Sequence, residues 1–227
     1  MRKWGIVISV FYAFVVLVIL FPLMGPWLAG GSPVAGGFLK ELIDFYKGNS
    51  IVVFGTPIAI LLLGQVLLLF LSVDTSFRKL KPRAHVAVTS AVVAMLFTLL
   101  AFLAIWSIDG AARGDNFGNG YTDTVGKFVA VCVGLWLLWG VVFYLYTRNS
   151  TQVVTHAVSW LLKGSVLELL IAVPCHVIVR RRHDCSAPVV TSFGIVTGIA
   201  VMLLSFGPSV LLLYKKRLDG YRERKSE

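Results

Sequence analysis

From Val86 to Ile108 the chain carries no charged residue. A helix rises 1.5 Å per residue, so a run of this length crosses a hydrocarbon layer of about 30 Å. Five further blocks have the same character. Together they predict spans at about 4–23, 51–73, 86–108, 128–147, 157–179 and 189–214. Inside a bilayer the backbone must satisfy its own hydrogen bonds, which leaves helices and closed barrels. The blocks are continuous apolar runs, not alternating strands, so helices are expected. The expected fold is all-α: a polytopic membrane protein with about six transmembrane helices. Residues 1–214 form a single membrane domain and 215–227 a basic cytoplasmic tail.

Composition agrees with this. Hydrophobic residues make up 57% and charged residues 14%, with a mean hydropathy of +0.84. A soluble domain holds about 45–50% apolar and about 25% charged residues. The net charge of +10 is a weak pointer to nucleic acid, because the basic residues sit beside hydrophobic blocks. There they set orientation and meet anionic headgroups. The bilayer is therefore the expected partner, and no nucleic acid. The odd cysteine count (Cys132, Cys175, Cys185) argues against a disulfide framework. The apolar stretch from Trp4 to Met24 exceeds the roughly 7–15 residues of a signal-peptide core, so a retained first span is expected.

Lys and Arg near the span ends predict the topology. With six spans, both termini lie in the cytoplasm of a cell-membrane protein. Arg2, Lys3, Arg78, Lys79, Lys81, Arg83, Arg148 and the tail then lie inside, and they outnumber the basic residues outside. A re-entrant segment at 157–179 would keep Arg180, Arg181 and Arg182 inside but move the tail out, dividing the basic residues evenly. The first outer loop carries Phe38, Leu39, Leu42, Phe45 and Tyr46 at helical spacing, which predicts a short amphipathic helix. In the second, Asp115, Asn119 and Asp123 are spaced oxygen ligands without a calcium-loop pattern, and turn chemistry explains them better.

The segment from Ala157 to Val179 holds the residues most out of place in a membrane. At 100° per residue, Cys175 lies about 20° from Glu168, Ala172 about 40° and His176 about 80°. They form one polar stripe, while Lys163 falls on the other side and extends its stem to the headgroups. An acidic group in the hydrocarbon layer costs several kcal/mol unless it is paired, protonated or hydrated. Two readings follow. Glu168 and His176 are hydrogen-bonded glue between helices, which is the expectation, or they form a proton or ion relay. Gln65, deep in the second span, is a candidate partner, with an interhelical amide bond as the simpler account.

Cys175, His176, His183 and Cys185 have the composition of a zinc site. Adjacent Cys175 and His176 point about 100° apart, however, and reach one ion only if the helix breaks near Pro174. No metal and no cofactor is expected. Gly194 and Gly198 match the Gly-x-x-x-Gly spacing that lets helices approach closely, facing the fifth span or a second copy of the chain. Ser90, Ala94 and Thr98 give the third span a similar face. No phosphate-binding loop, nucleophile elbow or zinc-protease motif is present. The expected function is non-enzymatic: a small permease-like protein or the membrane subunit of a larger complex. The alternative is a membrane enzyme or redox/metal protein using Glu168 and the Cys/His group. A homo-oligomer or a membrane-complex partner fits either reading.

Overall fold

The computed structural model describes residues 2–29, 38–47, 50–74, 83–114, 125–148, 153–184 and 187–226. All the elements among them are helices. α1 (Arg2–Phe14) continues through a π-helical stretch (Val15–Met24) into α2 (Gly25–Ala29). Then follow α3 (Phe38–Lys47), α4 (Ser50–Asp74), α5 (Arg83–Arg113), α6 (Val125–Thr147), α7 (Val153–Arg182) and α8 (Ala187–Ser226). Five stretches are long and apolar enough to cross a membrane: Gly5–Leu28, Val86–Arg113, Val129–Thr147, Val154–Arg182 and Ala187–Gly207. The sixth span expected, over 51–73, falls on α4. Its apolar stretch among the described residues is Phe54–Leu69. This apolar helical architecture is consistent with an integral, multi-pass membrane protein.

α5, α7 and α8 form the centre, and α7 against α8 is the most extensive pairing. Small residues explain that closeness. Ala172, Ala187 and Ala200 are fully buried, and Gly194 and Gly198 carry no side chain to hold the helices apart. α6 lies on the outer side of α5. Trp136 Nε1 donates to the Ala91 carbonyl at 3.0 Å, and the Ser90 and Thr147 hydroxyls meet at 3.2 Å. The small face of the third span is thus turned to α6, with Ala94 4.0 Å from where a Gly140 Cβ would stand.

The first span shows how a proline is accommodated. In a π-helix the N–H of residue i bonds the carbonyl of i−5. The N–H of Gly25 bonds the Leu20 carbonyl in that register. Pro22 has no N–H, so the carbonyl five residues before it, Leu17, lacks its helical donor. The Tyr46 hydroxyl of α3 donates to that carbonyl at 2.6 Å. Aromatic packing reinforces the tie. Phe45 stacks on Phe54, Phe54 stacks on Phe193 at 3.6 Å between ring centres, and Phe21 meets Phe193 edge-on. Burial pushes the Tyr46 hydroxyl above the ordinary phenol range, so the donor proton is present at neutral pH.

The C-terminal ends of α5 and α7 lie side by side. Arg182 donates to the Ala111 carbonyl at 2.9 Å, serving a carbonyl in the last turn of α5 that has no helical partner. Gly114 and His183 turn to positive φ (57° and 59°) where these helices end. A Cβ at Gly114 would stand 3.1 Å from Asp184 Oδ2, so glycine suits both the backbone and the space.

Candidate functional site: a buried carboxyl between three helices

α7 begins at Val153, and Glu168 therefore falls near its midpoint, about 21 Å from the Arg182 end. Ser165, Glu168, Ala172 and His176 are buried, Cys175 is half-buried, and Lys163 is exposed. Lys163 sits over the Trp160 ring at 5.6 Å, which places this cation on the outer surface of the helix and not beside Glu168.

Glu168 is 2% exposed, and its side chain fills the groove made by the two glycines of α8. A Cβ at Gly194 would stand 2.7 Å from Ser107 Oγ, 3.1 Å from Ala172 Cβ and 3.2 Å from Glu168 Oε1. A Cβ at Gly198 would overlap Glu168 Oε2. The Gly-x-x-x-Gly face is thus occupied by a carboxyl and by Leu169, within the same chain. Both carboxyl oxygens lack a hydrogen-bond partner among the described residues. So do the buried hydroxyls of Ser107 on α5 and Thr197 on α8. Ser107 Oγ and Glu168 Oε1 thus flank the same point beside Gly194, at 2.7 and 3.2 Å from it. Three polar groups without a partner among the described residues in one part of a bundle are unusual, because buried polar atoms nearly always find partners.

His176 behaves differently. Its Nδ1 meets the Thr191 hydroxyl at 2.8 Å. It therefore ties α7 to α8. Eight residues separate it from Glu168, about 12 Å along the helix, so no direct proton transfer joins them. Gln65 is also buried (1% exposed) with both amide atoms unpartnered among the described residues. It faces Gly207, where a Cβ would stand 3.1 Å from its Nε2. Gly207 lies nine residues beyond Gly198, about 13 Å along α8, so Gln65 and Glu168 occupy separate levels.

Cys175 and Cys132 are free thiols. Among the described residues no group of three or more His, Cys, Asp or Glu gathers as a metal ligand set. Cys185 lies outside the described residues, as do Asp115, Asn119 and Asp123. No sequence pattern singles out Ser107 or Thr197 as a site residue. Hydroxyls in membrane helices usually bond their own backbone, as Thr98 does to the Ala94 carbonyl. Only packing reveals which of them do not. No protein family, curated protein or solved structure matches this chain.

Proposed function

We propose that this chain is a non-enzymatic, small permease-like protein of the cell membrane, with six spans and both termini in the cytoplasm. One observation carries the reading: a carboxyl at the midpoint of α7, enclosed by α5 and α8, with neither oxygen bonded among the described residues. A carboxyl acting only as glue between helices would hold a donor. One kept open in a bundle core is suited to binding and releasing a charged species. The tail and loop charges support the orientation through the excess of Lys and Arg on the inner side.

Thermal stabilisation by small solutes of different classes (amino acids, sugars, carboxylates, organic cations) screens for a ligand, since binding to the folded state raises its melting point. Uptake of the hits into proteoliposomes then tests transport. Flux that is lost in Glu168→Gln supports the reading. Absence of flux for every class, or undiminished flux through Glu168→Gln, overturns it. A second reading, the membrane subunit of a complex, is favoured by α6. Its Leu137, Leu138, Val141 and Leu145 are exposed along a helix that packs chiefly on α5. Lipid or a partner protein covers that face. Native purification with identification of co-purifying proteins separates the two.

A further inference from the structure

We propose that Glu168 is a reversible proton-binding site whose partner is Ser107, and that the species it exchanges is a proton and not a metal cation. The inference rests on the reading of Glu168 as the centre of the bundle, and it names what that centre binds.

An ionised carboxylate with no partner, enclosed among apolar side chains, costs several kcal/mol. Something positive must compensate it, and the side chains around it do not. On α8 no residue from Ala187 to Gly207 is ionisable. On α5 the ionisable residues are Arg83 and His85 at one end, and Asp109 and Arg113 at the other. Asp109 and Arg113 pair with each other at 2.7 Å. On α7 itself Lys163 lies over Trp160, and His176 is engaged by Thr191. Among the described residues no ion pair reaches Glu168.

The choice between proton and metal cation follows from ligand number and room. Hard cations such as Ca²⁺ and Mg²⁺ take about six to eight oxygens at roughly 2.0–2.6 Å. Here one carboxyl oxygen, Oε1, and the Ser107 hydroxyl flank the Gly194 position, while Oε2 lies at Gly198, with Thr197 on the same stretch of α8. The other near neighbours are carbon: Ala172 Cβ, 3.1 Å from the Gly194 Cβ position, and Leu169 Cγ, 2.9 Å from the Gly198 one. A proton needs neither six ligands nor a cavity.

Ser107 suits both states of such a site. A hydroxyl donates one hydrogen and accepts two. With Glu168 protonated, the carboxyl O–H donates to Ser107 Oγ. With Glu168 ionised, the Ser107 O–H turns and donates to the carboxylate. The step is a simple exchange: the O–H bond of the acid forms with a proton from the aqueous phase and breaks on its return. Ser107 is thus a positioning residue: once the two side chains turn toward each other, its hydroxyl serves either state.

Infrared spectroscopy of the purified full-length protein in lipid nanodiscs tests this without reference to transport. The expected result is a protonated-carboxyl band that is absent in Glu168→Gln and shifted in Glu168→Asp. It should disappear as pH rises and return as pH falls. Exchanging choline chloride for sodium or potassium chloride should leave it unchanged. Ser107→Ala should shift both its frequency and its titration midpoint, at unchanged folded yield, and Ser107→Thr should restore them. A band that never titrates while the protein stays folded overturns the proposal in favour of permanent neutral packing. Absence of a Glu168-dependent band, or loss of the band to sodium or potassium, overturns it in favour of an ionised or cation-binding group. Titration without any solute flux in proteoliposomes keeps the proton site and removes the permease reading.

Discussion

Adding one methyl group at Gly198 tests whether close approach of α7 and α8 holds the centre together. The new Cβ of Gly198→Ala would overlap Glu168 Oε2 and stand 2.9 and 3.0 Å from Leu169 Cγ and Cδ2. Carbon atoms rest at about 3.5–4.0 Å, so the helices must part by roughly 0.5–1 Å or the carboxyl must swing out of its groove. Overpacking of this kind costs about 1–3 kcal/mol. Alanine's better helix propensity returns up to about 1 kcal/mol. The expected net loss is about 0–2 kcal/mol, or a fall in melting temperature of up to about 8 °C for a chain of this size. Gly134 is the internal control, because nothing lies within 4 Å of its Cβ position. Gly134→Ala collects the propensity gain alone and should melt at or slightly above the wild-type temperature. The assay is thermal unfolding of the three proteins in one detergent, followed by circular dichroism. Equal melting of the two variants would falsify the packing argument, since it would mean that the groove at Gly198 has slack.

The bond between Tyr46 and the Leu17 carbonyl gives a double-mutant test: Tyr46→Phe should cost about 1–3 kcal/mol by orphaning a buried acceptor, and less in a Pro22→Ala background, where residue 22 regains an N–H; additive costs in the cycle would refute the link to proline. The same bond has a pH signature. Because the folded state holds the Tyr46 proton more tightly than the unfolded chain, its contribution is complete below the ordinary phenol pKa and fades as pH rises through the raised value. A Tyr46→Phe protein should therefore lose less stability at alkaline pH than wild type in parallel melts. Orientation is tested by single cysteines in a cysteine-free background: labelling from outside is expected near Arg181 and not near Lys216, and the reverse pattern removes the six-span topology. Metal analysis of the purified protein is expected to find no stoichiometric zinc, whereas zinc lost on Cys185→Ser would establish the Cys/His alternative.

Residue chemistry alone determined that this chain forms helices apolar and long enough to cross a membrane, because hydropathy acts over whole segments and does not depend on which helix is the neighbour. It also marked Glu168, whose cost in an apolar run is local, and the glycine pair, whose spacing is a property of one helix. What surrounds those residues depends on distances between helices, which periodicity does not contain. The Gly194–Gly198 face meets α7 of the same chain, and the groove it opens is filled by Glu168. Gln65 lies about 13 Å along α8 from that level, because α4 approaches α8 near Gly207. His176 finds Thr191, a partner on the next helix. Ser107 appears in no sequence motif, and its lack of a helical hydrogen bond shows only once three helices are packed. The π-helical stretch at Pro22 is similar: the proline is legible as a missing donor, but the donor that replaces it comes from Tyr46, twenty-nine positions beyond Leu17. Segment-level free energies of transfer are written along the chain, whereas the partner of each buried polar atom is decided by packing across it.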